Sequence, residues 1–224
     1  MAIAFVQSKS TNSGGTTSLA LTYTNNVASA SLLIAGMFDG GGINQADSVT
    51  DSVQGGNWNQ DVTANLATDH DTVGIFSRVN ATGGATTVTA HGTTVVGLAI
   101  HEYSGLATTT PLDKTQSNNA TSGSATSNST ATTTSANELV FGLIGTSGSG
   151  DTVTAGSGYQ ARETDAPGHI ATEDKIVSAT GTYAATWTIS PSDEYAALVA
   201  TYAAPGGGGG GTTQQTLMLL GVGS

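Results

Sequence analysis

Cysteine is absent from the 224-residue chain. That excludes disulfides and thiolate metal centres, so packing and ladder hydrogen bonds must hold the fold. Charge is scarce as well: Asp, Glu, Lys and Arg make up 9% of the residues, and five Lys plus Arg against 16 Asp plus Glu give a formal net charge of −11. So few cations exclude a phosphate-binding face, and nucleic acid is not an expected partner. No apolar run approaches the roughly eighteen residues of a membrane span, so a membrane is not expected either. The first residues, Met1 to Lys9, lack the basic start and long apolar run of a secretory signal, which predicts a product made in a cytoplasm. No stretch has a convincing period of 3.6, so helices are not expected.

Thr, Ser, Asn and Gly fill the chain, with 31 glycines, a composition more usual in shells, fibres and adhesive modules than in metabolic enzymes. The segment Ala85 to Ser104 returns as Ala184 to Ala203, matching Thr89 with Thr188 and Tyr103 with Tyr202. Each copy has a short alternating run, a polar Gly or Pro turn and a longer apolar run, which predicts two antiparallel strands joined by a tight connection. The echo extends to Ser29–Gly36 against Ser135–Gly142 and to Val79–Gly83 against Val177–Gly181, with the order preserved. Two long copies are too few for a solenoid. The expectation is an all-β, antiparallel, jelly-roll-like β-sandwich built from two repeated four-strand halves around one shared core.

Along the chain, Ala2–Gln7 and the run Leu19, Leu21, Tyr23 read as strands separated by a Ser/Asn/Gly turn. Ser31–Phe38 and Leu139–Ile144 are nearly all apolar, as central strands covered on both faces are. Residues 40–71 predict short strands and long loops. Thr72–Asn80 alternates, and the following AlaThrGlyGly predicts a hairpin turn. Short strands are further expected at Thr152–Thr154, Tyr159–Glu163 and Lys175–Ser178. The sandwich is placed at residues 1–204, with halves of about 1–106 and 135–204 and a Thr/Ser-rich connection at 107–134 that has room for one edge strand in Ser124–Thr134. Residues 205–224 form a Gly-linked arm: six glycines from Gly206, then Leu217, Met218, Leu219, Leu220 and Val222. An apolar segment on a flexible tether needs cover, either from another chain or from its own sandwich, so these five residues are candidate partner-docking positions.

Chemistry-bearing residues do not converge in the sequence. His70 sits in AspHisAsp and could form a metal corner, though a solvated cluster is the commoner outcome; His101 reads as a structural histidine on the face that carries Tyr103. Asp39, Asp47, Asp51, Asp61, Asp69 and Asp71 lack the spacing of a calcium loop. Ser104, Ser147 and Ser157 lack the nucleophile elbow, and the pairs Glu163/Asp165 and Glu173/Asp174 read as solvated faces. No catalytic residue, metal or cofactor is expected. Of the aromatics Trp58, Tyr159 and Trp187, Trp187 reads as core from its place in the repeat, and only Trp58, on a polar loop, is a candidate platform for a sugar ring, with plugging one end of the sandwich as its commoner role.

Ser48–Asp51, Asn57 with Trp58, Glu102–Gly105, Ala136–Val140 and Ala200–Tyr202 together resemble β-sandwich modules of tailed-phage particles and related bacterial surface proteins. The resemblance implies a jelly-roll-like domain used in virion assembly or attachment, and carries no catalytic residues. The expected function is that of a non-enzymatic virion structural protein assembled in the host cytoplasm, most simply a capsid decoration or cement protein. It would act as a homo-oligomer bound to other virion proteins such as the major capsid protein. The alternative is a receptor- or glycan-binding module of a phage tail or fibre.

Overall fold

A computed structural model of the protein describes residues 2–42, 46–148, 150–164 and 169–206. Twelve strands and no helix occur among them. In chain order they are β1 (Ala4–Thr22), β2 (Leu32–Asp39), β3 (Ala46–Asp51), β4 (Asn59–Asn65), β5 (Thr72–Arg78) and β6 (Thr87–Ser104), then β7 (Leu112–Thr126), β8 (Asn137–Thr146), β9 (Thr152–Ala155), β10 (Gln160–Thr164), β11 (Ile170–Ser178) and β12 (Thr186–Ala203). The chain is all-β and folds into two antiparallel sheets. One has the order β1-β6-β2-β5-β4 with β3 beside β6; the other has β10-β11-β8-β12-β7 with β9 beside β12. Each sheet therefore draws on one contiguous half of the chain, with six strands where four were expected.

The apolar runs explain the layering. In β2 side chains alternate between two cores: Leu32, Ile34 and Phe38 face the other sheet, while Leu33, Ala35 and Met37 face away from it. β8 and β12 do the same, with Phe141, Leu143 and Leu198 in the central core and Val140, Ile144 and Val199 on the far side. A strand buried on both faces has no polar side to offer, hence the unbroken hydrophobic sequence. Three cores result: one between the sheets, and one on the outer side of each. The outer cores are closed by the bending of the long strands: the early part of β6 pairs β3, and its later part pairs β2. β12 pairs β9 first and β8 later.

Four expectations are corrected. The segments at Ala85–Ser104 and Ala184–Ala203 are single long strands, not hairpins, because Gly92 and the Ser190-Pro191-Ser192 stretch accommodate ladder irregularities, between Thr188 and Asp193 in β12, instead of chain reversals. Likewise β1 runs unbroken through Gly14 and Gly15, with register shifts between Asn12 and Ser18. Ala81–Gly84 is not a hairpin turn: β5 and β6 lie apart, with β2 between them. The Thr/Ser-rich connection carries β7 at Leu112–Thr126, an edge strand paired along β12 and placed earlier than the sequence suggested.

The sheets approach closely at two glycines. A Cβ on Gly36 would lie 2.8 Å from Leu143 Cδ1, and one on Gly145 would lie 2.5 Å from Val73 Cγ2 and 2.8 Å from Phe38 Cδ2. Gly145→Ala is therefore expected to overpack the central core and lower the unfolding free energy by about 1–3 kcal/mol, measurable by urea denaturation.

Candidate functional site

Polar groups cross the apolar interface between the sheets at a few points. Tyr103, from β6, donates its hydroxyl to Asp174 Oδ2 of β11 at 2.5 Å, and Arg162 of β10 grips the same carboxylate through Nε (2.7 Å) and Nη2 (3.0 Å) while lying 3.8 Å over the Phe5 ring. In the opposite direction, Tyr202 of β12 donates to Asp61 Oδ2 of β4 at 2.6 Å. Burial first, and the neighbouring carboxylate second, hold both tyrosines well above the usual phenol range, so they remain donors. His101 Nε2 meets Thr172 Oγ1 at 2.9 Å, and burial drives this imidazole down to about 3, leaving it neutral. The side edges are tied too. Ser8 and Ser10 of β1 donate to Glu163 of β10 at 2.5 and 2.8 Å, and Asn119 of β7 donates to the Asn65 carbonyl of β4 at 2.7 Å. Open sheet edges invite foreign strands; here they face one another and are bridged.

The residues singled out in the sequence are dispersed by the fold. Trp58 is only 4% exposed and packs in the outer core of the first sheet, its indole N–H donated to Asp51 Oδ2 at 2.9 Å. The expectation of a sugar platform there is corrected: both ring faces are covered. The signal was in the sequence, since Asp51 lies seven positions away and gives the indole its acceptor. Trp187 is buried on the far side of the second sheet. His70 is exposed on the β4–β5 loop at φ 64°, and His101 stacks parallel to Tyr103 with centroids 6.4 Å apart. The acids serve turns: Asp39 accepts the amides of Gly41 and Thr94, and Asp51 those of Val53 and Gln54. Among the described residues no group of three or more His, Asp or Glu is placed to hold a metal ion. Glu173 and Asp174 point to opposite faces of β11, the first to the amides of Gly156 and Thr186, the second to Tyr103. Asp165 and the docking candidates Leu217, Met218, Leu219, Leu220 and Val222 lie outside the described residues.

Two of the concave regions lie at the chain exit and at the start of β10. An apolar hollow of about 340 Å3, lined by Ala2, Ile3, Asn137, Ile176, Ala204 and Pro205, opens where the chain leaves the sandwich. An open groove of about 520 Å3 lies at the start of β10, walled by Tyr159, Gln160, Arg162, Asp174, Lys175 and Ile176. Ile176, at 52% exposure, separates the two. Sequence reasoning missed this groove because its residues come from two strands whose register was not readable. Comparison with known proteins adds no relative: no family model matches the chain, and neither does any curated protein or solved structure.

Two of the fully buried carboxyls, Glu138 and Glu173, are held above the ordinary carboxylate range. Glu138 Oε1 accepts the Ser135 amide at 3.2 Å while Oε2 has no partner; burial, then the Asp113 carboxyl beside it, push this group up to about 7. Burial likewise pushes Glu173 up to about 7. A folded-state value above the ordinary 4.5 means that the protonated form is favoured by folding. The stability it contributes is complete below pH 4.5 and is lost as pH rises to about 7. Glu138→Gln, a neutral replacement, is expected to flatten the fall in unfolding free energy between about pH 5 and pH 7 seen in urea titrations, and to leave the protein more stable than wild type at pH 8. Tyr103→Phe and Tyr202→Phe should each lower the unfolding free energy by about 1–3 kcal/mol, read from the same denaturation curves.

Proposed function

We propose that the protein is a non-enzymatic structural component of a bacteriophage particle, a capsid decoration or cement protein that coats the head as a homo-oligomer and contacts the major capsid protein. In this reading the sandwich is a rigid body and the Gly-tethered segment is its connector. The observation that carries the reading is the exit of the chain. Pro205 stands beside the apolar hollow formed with Ala2, Ile3 and Ile176, and the sequence beyond it is a glycine tract followed by Leu217–Leu220. A tethered apolar segment offered to the hollow of a neighbouring copy would link subunits by burying its leucines there, and copies around a closed ring would satisfy every arm. The bridged side edges support the same reading, since a coat subunit must avoid pairing indiscriminately at its flanks.

The finer architecture belongs to this proposal as well. The strand order of the second sheet reads as that of the first with six added to every number, which supports descent from a duplicated half and a jelly-roll-like ancestry. The threonine-rich edge strand β7 supplies a neutral, hydrogen-bonding outer surface suited to dense packing of identical subunits.

Removal of residues 206–224 tests the connector. The truncated protein is expected to keep the unfolding midpoint of the full chain but to lose oligomers in light scattering and to co-sediment at least about tenfold less with heads assembled from the phage's own major capsid protein. Unchanged assembly and co-sedimentation would refute this role for the arm.

A further inference from the structure

All five Lys and Arg lie in the described residues, and four of them are used. Arg78 pairs with Asp51 at 3.1 Å, Lys114 with Asp113 at 2.6 Å and Arg162 with Asp174 at 2.7 Å, while Lys9 donates to the Thr22 carbonyl at 3.3 Å. Lys175 has no ion pair and no hydrogen bond among the described residues. Its ammonium is held instead over the Tyr159 ring at 4.2 Å, with the Tyr183 ring at 5.3 Å. The tyrosines are anchored, Tyr159 to the Ala184 carbonyl at 2.6 Å and Tyr183 to the Ala179 carbonyl at 2.5 Å, so this aromatic bracket is rigid. Glu173, the nearest acid on the same strand face, has its two oxygens turned to the Gly156 and Thr186 amides.

A half-buried ammonium with three unused donors carries a desolvation cost that a leucine or methionine at the same place would avoid. Aromatic contact offsets part of that cost and holds the charge in place without quenching its donors. The placement follows from the ladder. β10 covers β11 only as far as the Gln160–Asp174 pair, whereas β11 continues to Ser178. Lys175 thus stands at the first uncovered position, on the wall of the open groove, whose opposite wall across the strand edge carries Gln160, the Arg162–Asp174 pair and the exposed Ile176.

We infer that this groove binds a carboxylate-bearing saccharide, a uronic- or sialic-acid unit whose carboxylate sits on Lys175. Across the free edge of β11, on the face opposite the ammonium, the Gln160 amide lines the same groove and offers a donor and an acceptor to sugar hydroxyls. The edge of Tyr159, on the face that carries Lys175, supplies the apolar contact that one face of a pyranose ring seeks. The groove is open along its length and suits an internal unit of a polymer better than a small molecule requiring enclosure. In a protein of net charge −11, attraction over long range works against an anion, so recognition rests on this one short-range contact and is sensitive to salt. The inference is independent of where in a particle the protein sits.

The test is calorimetric titration of the full chain with oligogalacturonate, hyaluronan fragments and oligosialic acid, each beside its carboxyl-reduced neutral counterpart, at low ionic strength. At least one acidic oligosaccharide should bind saturably, its neutral counterpart at least about tenfold more weakly, and Lys175→Gln should weaken binding by about tenfold or more with an unchanged unfolding curve. Gln160→Ala, at an exposed position, should weaken it less, and Lys9→Gln, on the first sheet, not at all. No binding across the panel would overturn the inference. So would equal binding by Lys175→Gln, equal loss with Lys9→Gln, or displacement by equimolar inorganic phosphate, which would mark a simple anion hole.

Discussion

A hydroxyl buried between two sheets must find its acceptor there, because water does not reach it. Tyr103 and Tyr202 each meet that constraint with a carboxylate from the other half of the chain, Asp174 in one case and Asp61 in the other. Neither sheet can satisfy its own tyrosine. The central core holds the sheets together through apolar contact, whose driving force is not directional. The two reciprocal bonds, with Arg162 closing on Asp174, fix one relative position of the sheets, and the close approaches at Gly36 and Gly145 depend on that position.

From that alignment follows the treatment of the flanks. With the sheets in register, β1 lies along β10 and β4 along β7, so Ser8 and Ser10 reach Glu163 and Asn119 reaches the Asn65 carbonyl. Where β10 stops short of the end of β11, the closure is incomplete, and the groove at Lys175 and the hollow beyond Ile176 occupy the gap. The groove and the hollow are therefore neighbours beside the end of one short strand.

Much of this was legible in the sequence. The continuous apolar runs of β2 and β8 announced strands covered on both faces, and the match of Tyr103 with Tyr202 marked the two residues that bridge the sheets. Other parts were hidden for physical reasons. β7 is almost wholly polar because only one of its edges is paired and its side chains meet water, so hydrophobic alternation gave no signal. Gly92 and Pro191 were misread as reversals because the residues that permit a turn also permit a bulge. Trp58 looked exposed because its sequence neighbours are polar, whereas its burial depends on Leu33, Met37 and Phe76 from other strands. The groove at Lys175 depends on where one strand ends relative to another, a quantity that residue types along a line do not encode.

The first and last residues of the body share one hollow: Ala2 and Ile3 meet Ala204 and Pro205 there, and Gly105 is packed so closely on the Ala2 carbonyl that a side chain could not enter. Entry and exit at a single spot make the body a self-contained plug. It can be spliced into a surface turn of a host polypeptide, or have its ends joined and reopened at the β4–β5 loop, without any segment crossing the core.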